Sequence, residues 1–168
     1  MTKDSTTPDL VELTRRSYRH GSARDWDGVM TIYGPDSVWD MSAVGLGVFE
    51  GCDDIRGFFE DWTGPYEGFE QELEEVRDLG NGVVFQVARH DARPVGSAAF
   101  VEFRYALVAV WVDGLIERAT AYADIDEARA AAERLAEERG RRCRGRTWRL
   151  CGAGSSSGAR HPSRHGRV

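Results

Sequence analysis

The chain has 168 residues, 41% of them hydrophobic and 10% aromatic, enough for one globular unit with a core of its own. Its net charge of −6 hides an acidic body, residues 1–139 at −14, and a tail, residues 140–168, with eight Arg and no acid; such a body repels phosphate backbones and leaves nucleic-acid contact to the tail alone. No apolar run is long enough to span a bilayer, "MTKDSTTPDL" lacks the basic-then-apolar order of a secretory signal, and the Cys set (Cys52, Cys143, Cys151) is odd. The expectation is a cytoplasmic protein without a membrane segment, its thiols reduced.

Thr7-Pro8 has the chemistry of a helix start, and Leu10, Leu13 and Ser17 share one face before Gly21, which predicts a helix over 8–22. Asp25 caps a second helix with Trp26, Val29, Met30 and Tyr33 at i, i+3, i+4 and i+7, stopped by Gly34-Pro35. Residues 37–41 and 46–50 form a short hairpin around glycines. Asp53 or Asp54 then caps a third helix whose stripe is Ile55, Phe58, Phe59 and Trp62, ended by Gly64-Pro65. From residue 68 the period changes to two: "FEQELEEVRDL", the tight-turn step Asn81-Gly82, and "VVFQVARH". A strand over 98–112 turns at Asp113-Gly114 into another over 115–124, and a helix over 126–139 carries Ala128, Ala132 and Leu135 on one face. The remainder is rich in Arg, Gly and Ser without periodicity, which predicts disorder from about residue 141. The division is a domain over 8–139 and a basic tail over 140–168.

This order, carried by "YGPDSVWD", "GVFEGCDDIRGFFEDW", "EEVRDLGNGVVFQV" and "WVDGLIERATAYADIDEA", resembles the SnoaL-like branch of the nuclear transport factor 2-like superfamily over residues 10 to about 135. The resemblance implies an α+β fold in which a curved antiparallel sheet wraps round N-terminal helices into a cone with one apolar pocket. It also implies a small apolar or polycyclic ligand, and a homodimer through the sheet. The family includes polyketide cyclases, ketosteroid isomerases and epoxide hydrolases beside members that only bind, so fold does not give function.

Its enzymes use carboxylates in an apolar pocket, where desolvation tunes the acid for proton transfer next to a carbonyl. By this resemblance the isomerase-type base falls at Met41, or at Asp40 if the pairing slips by one residue. The other two acid positions fall near Val108 and Ala121, which cannot transfer a proton. Asp40 is therefore either a general base beside Trp39 and Tyr33 or a carboxylate on the wet side of a strand end, since a one-residue slip turns a side chain to the opposite face.

A two-residue turn at Asp113-Gly114 pairs Val112 with Leu115, Val110 with Glu117, Val108 with Ala119, Ala106 with Ala121 and Arg104 with Ala123. By resemblance this is the concave face, so the expected pocket is roomy. Its wall comprises Arg104, Val108, Ala119 and Ala121 with Tyr33, Trp39, Met41, Phe59 and Trp62 from the N-terminal half. The opposite face, with Phe103, Tyr105, Leu107, Trp111, Ile116 and Tyr122, is too apolar for water and carries the dimer expectation.

The remaining motifs read as structure. His90 is expected exposed at a strand end, His20 suits a helix C-terminus, and Glu70, Glu72, Glu74 and Glu75 form a wet strand edge. Cys143, Cys151, His161 and His165 lack the Cys spacing of a zinc site, and Gly45, Gly47 and Gly51 are turn residues, so neither metal nor cofactor is expected.

Overall fold

The computed structural model describes residues 8–151, with side chains through residue 143. Two left-handed dipeptides set its hairpins. Asn81 and Gly82 have φ of 56° and 76°, and Asp113 and Gly114 have φ of 52° and 79°, the geometry whose twist matches that of paired strands. The first joins β3 (Tyr66–Asp78) to β4 (Val83–Pro94), and the second joins β5 (Val101–Val112) to β6 (Leu115–Tyr122). With β1 (Tyr33–Asp40) and β2 (Val48–Glu50) they make a six-stranded sheet in the order β2-β1-β6-β5-β4-β3. All neighbours are antiparallel except β1 and β6, which run parallel, so the sheet is mixed at one seam.

Helix α1 (Leu10–Ser22) is capped by the Asp9 carboxylate, which accepts from the Glu12 N–H, so it starts two residues later than the predicted helix over 8–22. Helix α2 (Trp26–Met30) is capped by Asp25 as expected, but Tyr33, Gly34 and Pro35 open β1 rather than closing the helix. Helix α3 (Gly51–Thr63) begins at Glu50 without a side-chain cap; Asp53 and Asp54 lie in its first turn, where they suit the positive end of the helix. At the other end of α1, the Ser22 hydroxyl donates to the Gln71 carbonyl and accepts from the Gln71 N–H, fastening the helix to β3.

The two faces of the sheet support two cores. The concave face meets α1–α3 around Trp39, Ile55, Tyr105, Leu107, Trp111 and Ile116. The convex face of β4 and β5 presents Val83, Phe85, Val87, Ala106 and Val108 to a final helix, α4 (Ile125–Cys151). Ala128, Ala132 and Ala136, at i, i+4 and i+8, are buried and let α4 approach the sheet closely. The helix runs past the predicted end at 139, and its seat is fixed by Arg129, which bonds Glu75 at 2.8 Å and covers the Phe85 ring at 4.7 Å.

The face assignment of β5 and β6 departs from the sequence reading. Val112 pairs with Leu115 and Trp111 with Ile116, but Val110 then pairs with Arg118, Ala109 with Ala119 and Leu107 with Ala121. Glu117 is thus the extra residue of a β-bulge, which shifts the later pairing by one and lets Ile116 and Ala119 both face inward. On β5, where Trp111 faces inward, Val108 packs under α4 and Arg104 points outward to Glu74 at 2.7 Å; neither lines a pocket. The row Phe103, Tyr105, Leu107, Trp111 and Ile116, which carried the dimer expectation, lies within the concave core, and Tyr122 packs in the α4 core.

Candidate functional site

Between the helices and the concave face lies a cavity of about 40 Å³. Its floor is Tyr105, Leu107 and Trp111 of β5 with Ile116 and Ala119 of β6, and its roof comes from α1, α2 and α3. Trp26 stacks on Phe59 at 5.8 Å and 8°, while Trp39 meets Phe59 edge-on at 5.2 Å, which makes one wall a rigid aromatic block. A second recess of about 10 Å³ adjoins it, lined by Met41, Phe58, Trp62, Thr63, His90 and Phe103. The two chambers share Trp39, Phe59, Gln71 and Tyr105.

Polar atoms are few and uncharged. Among the described residues, no Asp, Glu, Lys or Arg lines either chamber. Burial raises the Tyr33 and Tyr105 hydroxyls above the ordinary phenol range, so both stay protonated. Tyr18 is raised as well, by burial first and then by its tyrosine neighbours. His90 is pushed down to about 4 by burial alone and is neutral at physiological pH. The indole N–H groups of Trp39 and Trp111 and the Nδ1 of His90 are buried and have no hydrogen-bond partner in the protein, whereas buried polar groups as a rule are paired.

Of the residues expected at the site, Tyr33, Trp39, Phe59 and Ala119 line the larger chamber, and Met41 and Trp62 line the smaller. Ala121 is buried in the same core without lining either. Asp40 lines neither: with Trp39 facing inward, the next residue of the strand faces out. Its carboxylate accepts from the Ser42 hydroxyl at 2.6 Å, the Ser42 N–H at 3.1 Å and Arg118 at 2.5 Å. The Ser42 bonds, and then Arg118, hold it below the ordinary carboxylate range. Its side chain is 14% exposed.

The sequence reading missed Tyr18, Gln71, Gln86, His90, Tyr105 and Trp111. His90 is only 7% exposed, not at a wet strand end. The usable signal was parity: Val84, Gln86, Ala88 and His90 alternate on one face of β4, as Phe103 to Trp111 do on β5. The expected cavity was roomy because small residues were assigned to it; the bulky row occupies it instead.

Among the described residues, no cluster of three or more His, Cys, Asp or Glu is placed to hold a metal ion, and no helix is long and apolar enough to cross a membrane. Cys151 has no described side chain, and His161 and His165 lie outside the described residues.

The fold has many solved counterparts. TerC co-crystallised with polyporic acid is 19% identical, covering 73% of this chain and 97% of that one with a TM-score of 0.58. A putative SnoaL-like polyketide cyclase from Shewanella denitrificans is 12% identical over 77% of this chain and 99% of its own, TM-score 0.58. An LEH-like epoxide hydrolase from M. tuberculosis is 18% identical over 70% and 86%, TM-score 0.56. At these identities the likeness establishes the nuclear transport factor 2-like fold and not a reaction. Comparison with curated proteins yields no match. The pattern of the SnoaL-like domain, however, matches residues 14–119, more than half of the chain and the span that builds the cone from α1 into β6, and the chain belongs to the SnoaL-like domain family.

Proposed function

We propose that this SnoaL-like protein binds a small, neutral ring compound carrying at least one hydrogen-bond acceptor in the cavity between α1–α3 and the sheet. The observation that supports the reading is the pair of indole N–H groups, Trp39 and Trp111, buried without acceptors in the wall of an otherwise apolar, uncharged chamber. A buried donor left unpaired costs roughly 1–3 kcal/mol, which an acceptor on a ligand recovers. An ionic ligand would lose its hydration and meet no counter-charge there.

Size limits the ligand. The cavity of about 40 Å³ has room for roughly three waters, so a ring enters only as the wall moves. Tyr18 and Gln71 belong both to this wall and to a groove outside, between α1 and β3. The Gln71 amide lies over Gly21, where a Cβ would come within 2.2 Å of its Oε1; the long, unbranched Gln71 side chain is the part that swings aside.

The test is a titration of tryptophan fluorescence with acetophenone, benzoate and benzylammonium, which are alike in size. Acetophenone is expected to bind at least about tenfold more tightly than either ion, and Trp39→Phe with Trp111→Phe to weaken it. Failure of acetophenone to bind, or equal binding of benzoate, overturns the reading.

A further inference from the structure

The smaller recess, about 10 Å³, is roughly the room one water-sized group needs, and its polar furniture is asymmetric. His90 is fixed in an aromatic cage, its ring centroid 5.4 Å from Phe69, 5.2 Å from Tyr105 and 6.5 Å from Phe103. Its Nε2 lies 3.3 Å from the Tyr105 hydroxyl, while Nδ1 meets no partner. A phenol O–H is a better donor than an imidazole N–H, and an imidazole nitrogen a better acceptor than a phenol oxygen. The Tyr105 hydroxyl therefore turns its proton to His90 Nε2. A neutral imidazole carries one proton, which this arrangement places on Nδ1.

Trp39 also lines the recess, and its indole N–H is likewise unpaired. We infer that this recess is a carbonyl-recognition subsite, in which His90 Nδ1–H and Trp39 Nε1–H donate to one ligand oxygen while the ring occupies the larger chamber. Tyr105 is the positioning residue that fixes the imidazole tautomer. A ketone or quinone oxygen, with two lone pairs and no proton, satisfies both donors. A hydroxyl must also place its proton, for which the recess offers only the neutral oxygens of Gln71 and Thr63. The inference rests on the reading of the cavity as a ligand site and adds the functional group it selects.

Acetophenone, 1-phenylethanol and cumene share one skeleton and carry C=O, CH–OH and CH–CH₃ at the same place. Their affinities are compared by fluorescence titration for the wild type, His90→Phe, His90→Gln and Tyr105→Phe, each checked for a cooperative thermal transition. The wild type is expected to prefer acetophenone over cumene by about tenfold. His90→Phe lowers that preference to about threefold, and His90→Gln, which retains an N–H donor, recovers part of it. Tyr105→Phe keeps the imidazole but frees its tautomer, and reduces the preference as well. A flat ranking in the wild type, an unchanged ranking in His90→Phe, or 1-phenylethanol in first place overturns the inference while leaving the cavity a ligand site. Absence of binding by all three overturns both.

Discussion

Replacing His90 by Phe isolates the energetic consequence of burying an imidazole in an aromatic cage. The folded-state value is about 4 against an ordinary 6.5, so as pH falls through 6.5 the unfolded chain takes up a proton that the folded chain refuses until about pH 4. The unfolded state therefore binds more protons between these limits, and stability declines as pH falls through that window. Integrated from pH 7 to pH 4.5, the loss assigned to this one group is about 2.5 kcal/mol. Phe fills the same cage and has nothing to titrate. Urea unfolding of wild type and His90→Phe at pH 7.0 and 4.5 gives the difference of differences, in which carboxylates common to both proteins cancel. The wild type should lose about 2.5 kcal/mol more than the variant over this interval. At pH 7 the removal of an unpaired buried nitrogen is offset by the Tyr105 hydroxyl losing its partner, so the comparison rests on the change between the two pH values. Equal losses in the two proteins would refute the burial argument and, with it, the neutral imidazole on which the recess depends.

Two further outcomes follow from geometry elsewhere. Gly82 holds φ of 76°, and a Cβ there would sit 2.4 Å from the Trp111 carbonyl oxygen, a backbone atom fixed by the bond from Trp111 N–H to Gly82 O at 2.7 Å. Gly82→Ala should cost about 3 kcal/mol by denaturant unfolding, and a loss below about 1 kcal/mol would mean the hairpin relaxes. Asp40→Asn should lower stability by about 1 kcal/mol through weakened bonds to Ser42 and the half-exposed Arg118. It should leave acetophenone affinity within about twofold of wild type; a larger change would return Asp40 to the site.

The local elements were legible in the sequence because each is encoded within a few residues: Asp25 caps α2, Asn81-Gly82 and Asp113-Gly114 supply left-handed turns, and the stripe Ile55, Phe58, Phe59 and Trp62 requires a helix. The resemblance carried by the motif order gave the cone. The site was legible where an aromatic stripe marks one face of a helix, as for Phe59 on α3; Tyr33 reached the pocket from β1 and not from the second helix, where the sequence pattern placed it. Arg104 and Val108 failed because the face shared by Val112 and Leu115 was taken as concave by resemblance, whereas Trp111 and Ile116 turn inward; the bulge at Glu117 then exchanges the faces of β6 beyond it and brings Ala119 and Ala121 to the inward side.

What the chain determines by itself is therefore periodicity, turn chemistry and the acidic body. Which face of β5 turns inward was decided by packing: Ala106 and Val108 are small enough to lie under Ala128 and Ala132 of α4, leaving Tyr105, Leu107 and Trp111 to fill the cone. That choice makes the cavity narrow, places Asp40 outside it and His90 within. It depends on the fit of elements far apart in sequence, which no local pattern records.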